Sequence, residues 1–177
     1  MTYYNNREYK VIKNNWKEFL QKTDWHLWIT FTFERKLKQI EDGYTDILQF
    51  FKNLNKLYPK VKFSSFSIGL WHKNSINKNI HFHTLIVSNM NYPMNFRQLN
   101  YKDIQKIEEL WTLDKINPLD KEKISHFELI SDKQESDIKA NYIAKKNIRI
   151  DAPDEYQVFI YGSSFLKKLQ KGDYYEI

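Results

Sequence analysis

Two neighbouring stretches, KFSSFSIGLWH at residues 62–72 and NIHFHTLIVS at residues 79–88, decide the fold. Each is a short run of mostly apolar and β-branched or aromatic residues, and the polar sequence KNSINK separates them. Such runs joined by a short polar segment are typical of two strands in a hairpin. The sequence therefore predicts a β-hairpin whose second strand contains two histidines.

Strand and helix patterns alternate on either side of this hairpin. Apolar residues alternate with others in TDWHLWITFTF, residues 23–33, which predicts a strand. Helical spacing of apolar residues predicts helices at residues 44–58 and 101–112, and ISHFELI at residues 124–130 reads as a further strand. The resulting order is strand, helix, strand, strand, helix, strand. It predicts an α+β fold, a split βαβ (ferredoxin/RRM-like) antiparallel sheet of about five strands with helices mainly on one face and the histidine pair on a central strand.

The rest of the chain adds elements at both ends of this unit. Residues 1–10 are expected to form a loose arm, and residues 11–22 a short amphipathic helix. Ser136 is expected to cap a helix that runs to about residue 147. Residues 148–177 form a C-terminal extension with a final strand and helix, whose role the sequence leaves open. Residues 1–177 are interpreted as one domain.

The composition limits the classes of function. Among 177 residues there is no Cys, which excludes a disulfide scaffold, a thiolate zinc site and a cysteine nucleophile. The formal net charge of +6 suits a polyanionic partner, and the aromatic content of 16% includes residues on which bases could stack. The sequence has neither a secretion signal nor an apolar run of about 18 residues, so we expect a cytoplasmic protein without a membrane partner.

The histidine pair is the first candidate for chemistry. His81 and His83 are two residues apart in a predicted strand, so their side chains point to the same face and can chelate one divalent metal ion. If the hairpin pairs His72 with His81, a third imidazole joins them on that face. An H-x-H pair is equally compatible with half-buried polar side chains that bind nothing, and both interpretations remain open on this pattern alone.

Tyr142 is the second candidate. It lies one helical turn before Lys145 and Lys146 on the same face of a predicted helix. A phenol beside cations and close to a metal-held phosphate can serve as a nucleophile. However, Tyr-x-x-Lys is a common string, and most such tyrosines pack at the edge of a helix.

Taken together and in order, these segments resemble the HUH endonucleases, most closely the rolling-circle replication initiator (Rep) branch. WITFTF at residues 28–33 is similar to the first motif of that branch, and HFHTLI at residues 81–86 is similar to its metal-binding second motif. YIAKK at residues 142–146 is similar to its third motif, which contains the nucleophilic tyrosine and a lysine three positions later. The resemblance covers roughly residues 25–147.

The resemblance implies a specific activity. The protein would nick and join single-stranded DNA in a sequence-specific manner by tyrosine transesterification, through a 5′-phosphotyrosine, and so initiate rolling-circle replication of a plasmid or virus. Tyr142 would be the nucleophile and Lys145 its partner lysine, with Mn²⁺ or Mg²⁺ held by His81, His83 and His72. The DNA would be single-stranded or a hairpin at a replication origin. A separate helicase would be needed, because the sequence contains no phosphate-binding G-x-x-x-x-G-K-[ST] string.

The sequence departs from the Rep pattern at two points. Many relatives have an acidic third ligand upstream of the histidine pair, whereas this chain has His72 there, with Glu128 and His126 as alternatives on the next strand. Position 138 is Ile and position 146 is Lys, so no second tyrosine lies one turn from Tyr142, which implies a single-tyrosine enzyme. Two other interpretations remain: a single-tyrosine transposase of the same superfamily, and a non-catalytic nucleic-acid-binding module with the same fold.

Overall fold

The computed structural model describes residues 6–33, 37, 39–71, 80–89, 96–112, 126–146, 157–162, 164 and 166. Four helices and five strands are described within these ranges. In chain order they are α1 (Asn6–Gln21), β1 (Leu27–Phe31), α2 (Glu41–Leu57), β2 (Phe63–Trp71), β3 (Ile80–Ser88), α3 (Tyr101–Thr112), β4 (His126–Leu129), α4 (Lys133–Lys146) and β5 (Gln157–Tyr161).

The five strands form one antiparallel sheet in the order β4-β1-β3-β2-β5. The first four strands in this order belong to the split βαβ unit, and β5 pairs with the outer edge of β2. β3, which contains the histidine pair, is the central strand of the sheet. The predicted α+β class, strand number and position of the pair are therefore confirmed.

Both faces of the sheet are apolar, and each is covered by two helices. One face packs against α2 and α3 through residues such as Phe31 and Phe82, which are fully buried. The opposite face packs against α1 and α4 through Trp28, Phe66 and Leu85. The two helices of the split βαβ unit share one face as expected, but the helices outside that unit cover the other. Helices on one face are thus confirmed for the split βαβ unit, while α1 and α4, which lie outside it, bury the second apolar face of the sheet.

Phe82, between the two histidines, is locked in place on the α2 face. A Cβ atom at Gly43 would lie 2.6 Å from Phe82 Cε2, and one at Gly69 would lie 2.9 Å from Phe82 Cε1 and 2.5 Å from Ile40 Cγ2. Two glycines therefore leave the space that the phenyl ring fills. Because side chains alternate along a strand, this packing turns His81 and His83 toward α4.

Three helices begin earlier than the sequence predicts, among them α2, which begins at Glu41 rather than at residue 44. α1 begins at Asn6, so residues 6–10 of the predicted loose arm are helical, while residues 1–5 lie outside the described part. α4 begins at Lys133 rather than after Ser136. Asp132 Oδ1 accepts the backbone N–H of Glu135 at 2.8 Å, and a carboxylate three residues before that N–H is a favourable helix cap.

Ser136 has a different role from the predicted cap. It is fully buried in the first turn of α4, and its Oγ accepts the backbone N–H of Trp25 at 2.9 Å. This bond ties α4 to the segment that leads into β1.

The C-terminal extension contributes to the core. β5 pairs with β2 over Gln157–Tyr161, and Leu166 is buried on the α1 and α4 face. The predicted final helix falls largely outside the described residues. No helix in the described ranges is both long enough and apolar enough to cross a membrane.

We expect Gly43→Ala to lower the free energy of unfolding by about 1–3 kcal/mol, because the added methyl group collides with the ring of Phe82. The loss should appear although alanine favours a helix over glycine by about 1 kcal/mol. Urea unfolding measures it. Thr45→Ala, at an exposed position of α2, is the control for helix propensity. In a Phe82→Leu background, Gly43→Ala should lower the free energy of unfolding by less than it does in the wild type. If the two substitutions instead lower it by strictly additive amounts, the predicted contact between the methyl group and the ring does not exist.

Candidate active site

Four aromatic rings meet on the sheet face that α4 covers, and we call them the ring cluster: Trp28, His81, His83 and Tyr142. The ring centroids of His81 and His83 are 4.9 Å apart, and those of His83 and Tyr142 are 5.3 Å apart with their planes at 80°. Trp28 stacks on His83 at 5.0 Å and 27°, and meets Tyr142 at 5.7 Å. Three segments that are distant in the sequence therefore converge at one place.

The pairing of β1 with β3 explains the position of Trp28. Trp28 pairs with Leu85 and Thr30 with His83, so Trp28 and His83 are diagonal neighbours on one face. Trp28 is only 5% exposed. It is therefore the most buried member of the ring cluster, a core residue that is not available for stacking with a nucleobase.

The packing of α4 explains the position of Tyr142. Ala140, Ile143 and Ala144 are buried against the sheet, and the two small alanines allow the helix to approach the strands closely. Tyr142 lies at the flank of this buried stripe and is 41% exposed. Its ring thus contacts His83 while part of the side chain reaches solvent.

His83 has the hydrogen bond expected of a metal-binding histidine. Its side chain is nearly buried, at 8% exposure, and Thr30 Oγ1 lies 3.1 Å from its Nδ1. A hydrogen bond at one ring nitrogen fixes the orientation of the imidazole and directs the other nitrogen, here Nε2, toward a ligand. His81, half-buried beside it, completes a pair that suits a divalent ion.

The third predicted ligand is not brought to this pair by the described residues. β2 pairs Leu70 with His81 and Trp71 with Ile80, so the predicted pairing of His72 with His81 was wrong by two positions. In the sequence, Trp71 and Ile80 are equally distant from the middle of KNSINK, so symmetry about that segment favours the observed pairing over one of His72 with His81. His72 itself lies outside the described residues, and its role as a ligand stays a prediction.

The two alternative ligands lie elsewhere on the sheet. Thr30 pairs with His83 on one side and with His126 on the other, so β1 separates the backbones of the two histidines by about 10 Å, twice the usual strand spacing. Glu128 Oε2 lies 3.2 Å from His126 Nε2 and 2.6 Å from Lys139 Nζ. No group of three His, Cys, Asp or Glu side chains within the described residues is arranged to hold a metal ion.

Lys139 is the residue that sequence reasoning missed. Its Nζ lies 5.3 Å from the centroid of the Trp28 ring in addition to its contact with Glu128. The spacing was visible, because Lys139 precedes Tyr142 by three residues and so shares its helix face. The resemblance directed attention to Lys145 instead, which is exposed and forms no hydrogen bond or ion pair with any described residue.

Glu128 is held in its ionised form by this arrangement. Burial alone would raise its pKa, but hydrogen bonds from Lys139 and His126 outweigh burial and lower the pKa below its ordinary value. The carboxylate and the ammonium of Lys139 therefore form an ion pair at neutral pH.

His26 is a structural histidine, separate from the ring cluster. Its Nδ1 accepts the backbone N–H of Ser88 at 3.3 Å and lies 3.1 Å from Ser88 Oγ, which itself accepts the N–H of Phe96. These partners require Nδ1 to be unprotonated, so the proton of the neutral ring is on Nε2. Burial and the nearby Arg97 lower the pKa of His26 to about 4.

No protein-family model, curated protein or solved structure matches this chain. Any functional proposal for this chain must therefore be argued from the geometry of the ring cluster and the chemistry of its residues.

We expect His26 to make stability depend on pH. The folded-state pKa of about 4 lies below the ordinary value of 6.5, so the unfolded chain takes up the proton first and stability falls as the pH drops from 6.5 toward 4. Between pH 7 and 4.5 the loss due to His26 should be about 2–3 kcal/mol.

Urea unfolding of the wild type and of His26→Gln across this pH range measures the effect. Glutamine can still accept hydrogen bonds from Ser88 but does not titrate. Between pH 7 and 4.5, the free energy of unfolding of the wild type should fall by about 2–3 kcal/mol more than that of the variant. Equal losses in the two proteins would show that His26 is not the group responsible.

Proposed function

We propose that this protein is a metal-dependent endonuclease and strand transferase that nicks and rejoins single-stranded DNA through Tyr142, at the replication origin of a plasmid or virus that replicates by a rolling circle. The observation that carries the proposal is the contact between the rings of Tyr142 and His83, at 5.3 Å, beside His81. The candidate nucleophile lies about 60 residues after the two candidate metal ligands in the chain. They share one site only because the fold brings them together.

The ligand set suits a divalent cation, Mn²⁺ or Mg²⁺. His81 and His83 would hold it together with a third group, for which His72 is the proposal. Mg²⁺ prefers oxygen ligands and keeps several waters, so of these two cations Mn²⁺ would accept an imidazole pair more readily. When bound, the cation would polarise the non-bridging oxygens of the scissile phosphate.

The chain's own residues account for the covalent step. The phenol oxygen of Tyr142 attacks phosphorus and loses its proton; the bond from phosphorus to the 3′-oxygen breaks, and that oxygen gains a proton. A 5′-phosphotyrosine and a free 3′-hydroxyl result. One phosphodiester replaces another, so the reverse reaction rejoins the strand without an energy source. Lys145, three residues later and exposed, would stabilise the charge on the phosphate.

The exposure of the ring cluster favours a flexible strand as substrate. Tyr142 is 41% exposed whereas His83 beneath it is 8% exposed, so a phosphate must enter a partly enclosed site. A single strand, or one extruded from a hairpin, can bend its backbone into such a site more readily than a duplex. The net charge of +6 would attract it, and a separate helicase would supply further single strand.

We expect wild-type protein incubated with Mn²⁺ and a 3′-labelled random-sequence pool of single-stranded oligonucleotides to give a covalent protein–DNA band on a denaturing gel. Tyr142→Phe should reduce the yield by more than about a thousandfold, because the nucleophilic oxygen is removed. His83→Ala and chelation by EDTA should also abolish the band.

Tyr101→Phe is the matched control, since Tyr101 is 75% exposed on α3, which packs on the other face of the sheet. It should leave the yield unchanged. A band that persists in Tyr142→Phe would refute the assigned nucleophile. Reversible binding with no covalent band would instead favour the non-catalytic nucleic-acid-binding module.

A further inference from the structure

We propose that Lys139 and Trp28 are positioning residues: Lys139, anchored by Glu128, holds the indole of Trp28, and the indole sets His83 and Tyr142 relative to each other. The expected effect on reaction rate rests on the proposed function. The expected positions of the rings concern the free protein and do not depend on the proposed function.

Trp28 contacts both the candidate metal ligand His83 and the candidate nucleophile Tyr142. It stacks on His83 at 5.0 Å with 27° between the planes and meets Tyr142 edge-on at 5.7 Å and 77°. Since it is 5% exposed, its neighbours leave it little room to move. A shift of this indole would displace the candidate ligand and the candidate nucleophile together.

Lys139 connects α4 to two strands at once. Trp28 of β1 and Glu128 of β4 are cross-strand partners, so their side chains are neighbours on the α4 face. The ammonium of Lys139 lies 2.6 Å from Glu128 Oε2 and 5.3 Å from the Trp28 ring centroid. It therefore makes an ion pair and a cation–π contact with adjacent residues of the sheet.

The position of Lys139 in α4 makes these contacts relevant to Tyr142. The two residues are three apart on one helix, so fixing Lys139 on the sheet also fixes the height of Tyr142 above His83. The buried stripe of α4 consists of Ala140, Ile143 and Ala144, so only one large side chain limits the position of the helix along the strands. Directional polar contacts add to that limit, and Lys139 is one turn from the nucleophile.

Lys139 is thus assigned a different role from Lys145. Its ammonium is already engaged with Glu128 and Trp28, and its side chain is only 21% exposed. Lys145 is exposed, without a hydrogen bond or ion pair to any described residue, and is the lysine suited to a phosphate.

The experiment compares Lys139→Met with Lys139→Arg and Glu128→Gln. Methionine keeps the length and helix propensity of lysine but removes the charge. Lys56→Met is the matched control, because Lys56 is an exposed lysine at the end of α2, which packs on the opposite face of the sheet. Thermal unfolding confirms that each variant is folded, and Glu128→Gln tests the same ion pair independently if Lys139→Met fails to fold.

The first readout is the NMR spectrum of the ring protons of His83 and Tyr142, without metal or DNA. Stacked and edge-on indole contacts shift these resonances strongly, so Lys139→Met and Glu128→Gln should move both, whereas Lys139→Arg and Lys56→Met should leave them near the wild-type positions. Unchanged resonances in both Lys139→Met and Glu128→Gln would overturn the proposal. This readout tests the positioning role of Lys139 and Trp28 even if the wild-type protein forms no covalent adduct with DNA. The absence of an adduct would refute only the proposed function.

The second readout is the single-turnover rate of adduct formation, measured beside the dissociation constant for the same oligonucleotide pool. Lys139→Met should lower the rate roughly ten- to a hundredfold, as misplacement of a reacting group does. The dissociation constant should change no more than in Lys56→Met, and Lys139→Arg should recover most of the rate. A loss confined to affinity, with a salt slope reduced by about 0.7, would show that Lys139 contacts a phosphate instead.

Discussion

Burial of the second apolar face of the sheet is the constraint on which the site depends. The central strands of the sheet are apolar on both sides, so the face with Trp28, Phe66 and Leu85 must be covered as fully as the face with Phe82. α1 and α4 provide that cover. Because the histidine pair belongs to the same face, the helix that completes the core also brings its flank, and with it Tyr142, to the imidazoles.

Apolar burial alone does not fix the position of a helix along the strands it covers, since the hydrophobic effect has no direction. Polar contacts near the start of α4 help to fix that position. Ser136 accepts the N–H of Trp25, and Lys139 reaches Glu128 one turn later. Arg97 adds a third constraint at the same end of the sheet, with two hydrogen bonds to Asp24 and one to the carbonyl of residue 130. The bond of the fully buried Ser136 is costly to leave unmade, and with the partly buried contact of Lys139 it favours one register of α4.

The sequence predicts most of the framework, because the strands and α3 show clear periodicity; residues 101–112 form α3 with the predicted bounds. It does not predict which face of the sheet a helix will cover, since periodicity identifies the apolar side of a helix but not its partner. The register of the hairpin is equally sensitive. A shift of two residues, about 7 Å along a strand, replaced His72 by Leu70 opposite His81. Spacing places Lys139 on the helix face of Tyr142, but the contacts of Ser136 and Lys139 could not be predicted, because their partners, Trp25 and Glu128, are distant in the sequence.

A tryptophan is well suited to the position beneath the cluster for a physical reason. The candidate ligands are on a strand and the candidate nucleophile is on a helix, so the distance between them depends on how two rigid elements pack. An aliphatic side chain at position 28 would fill the space but impose no preferred angle on its neighbours. The indole stacks on His83 and lies steeply inclined to the ring of Tyr142, and both geometries are favoured by the charge distribution of aromatic rings. The same ring attracts the ammonium of Lys139, so one buried side chain orients a strand residue and two helix residues.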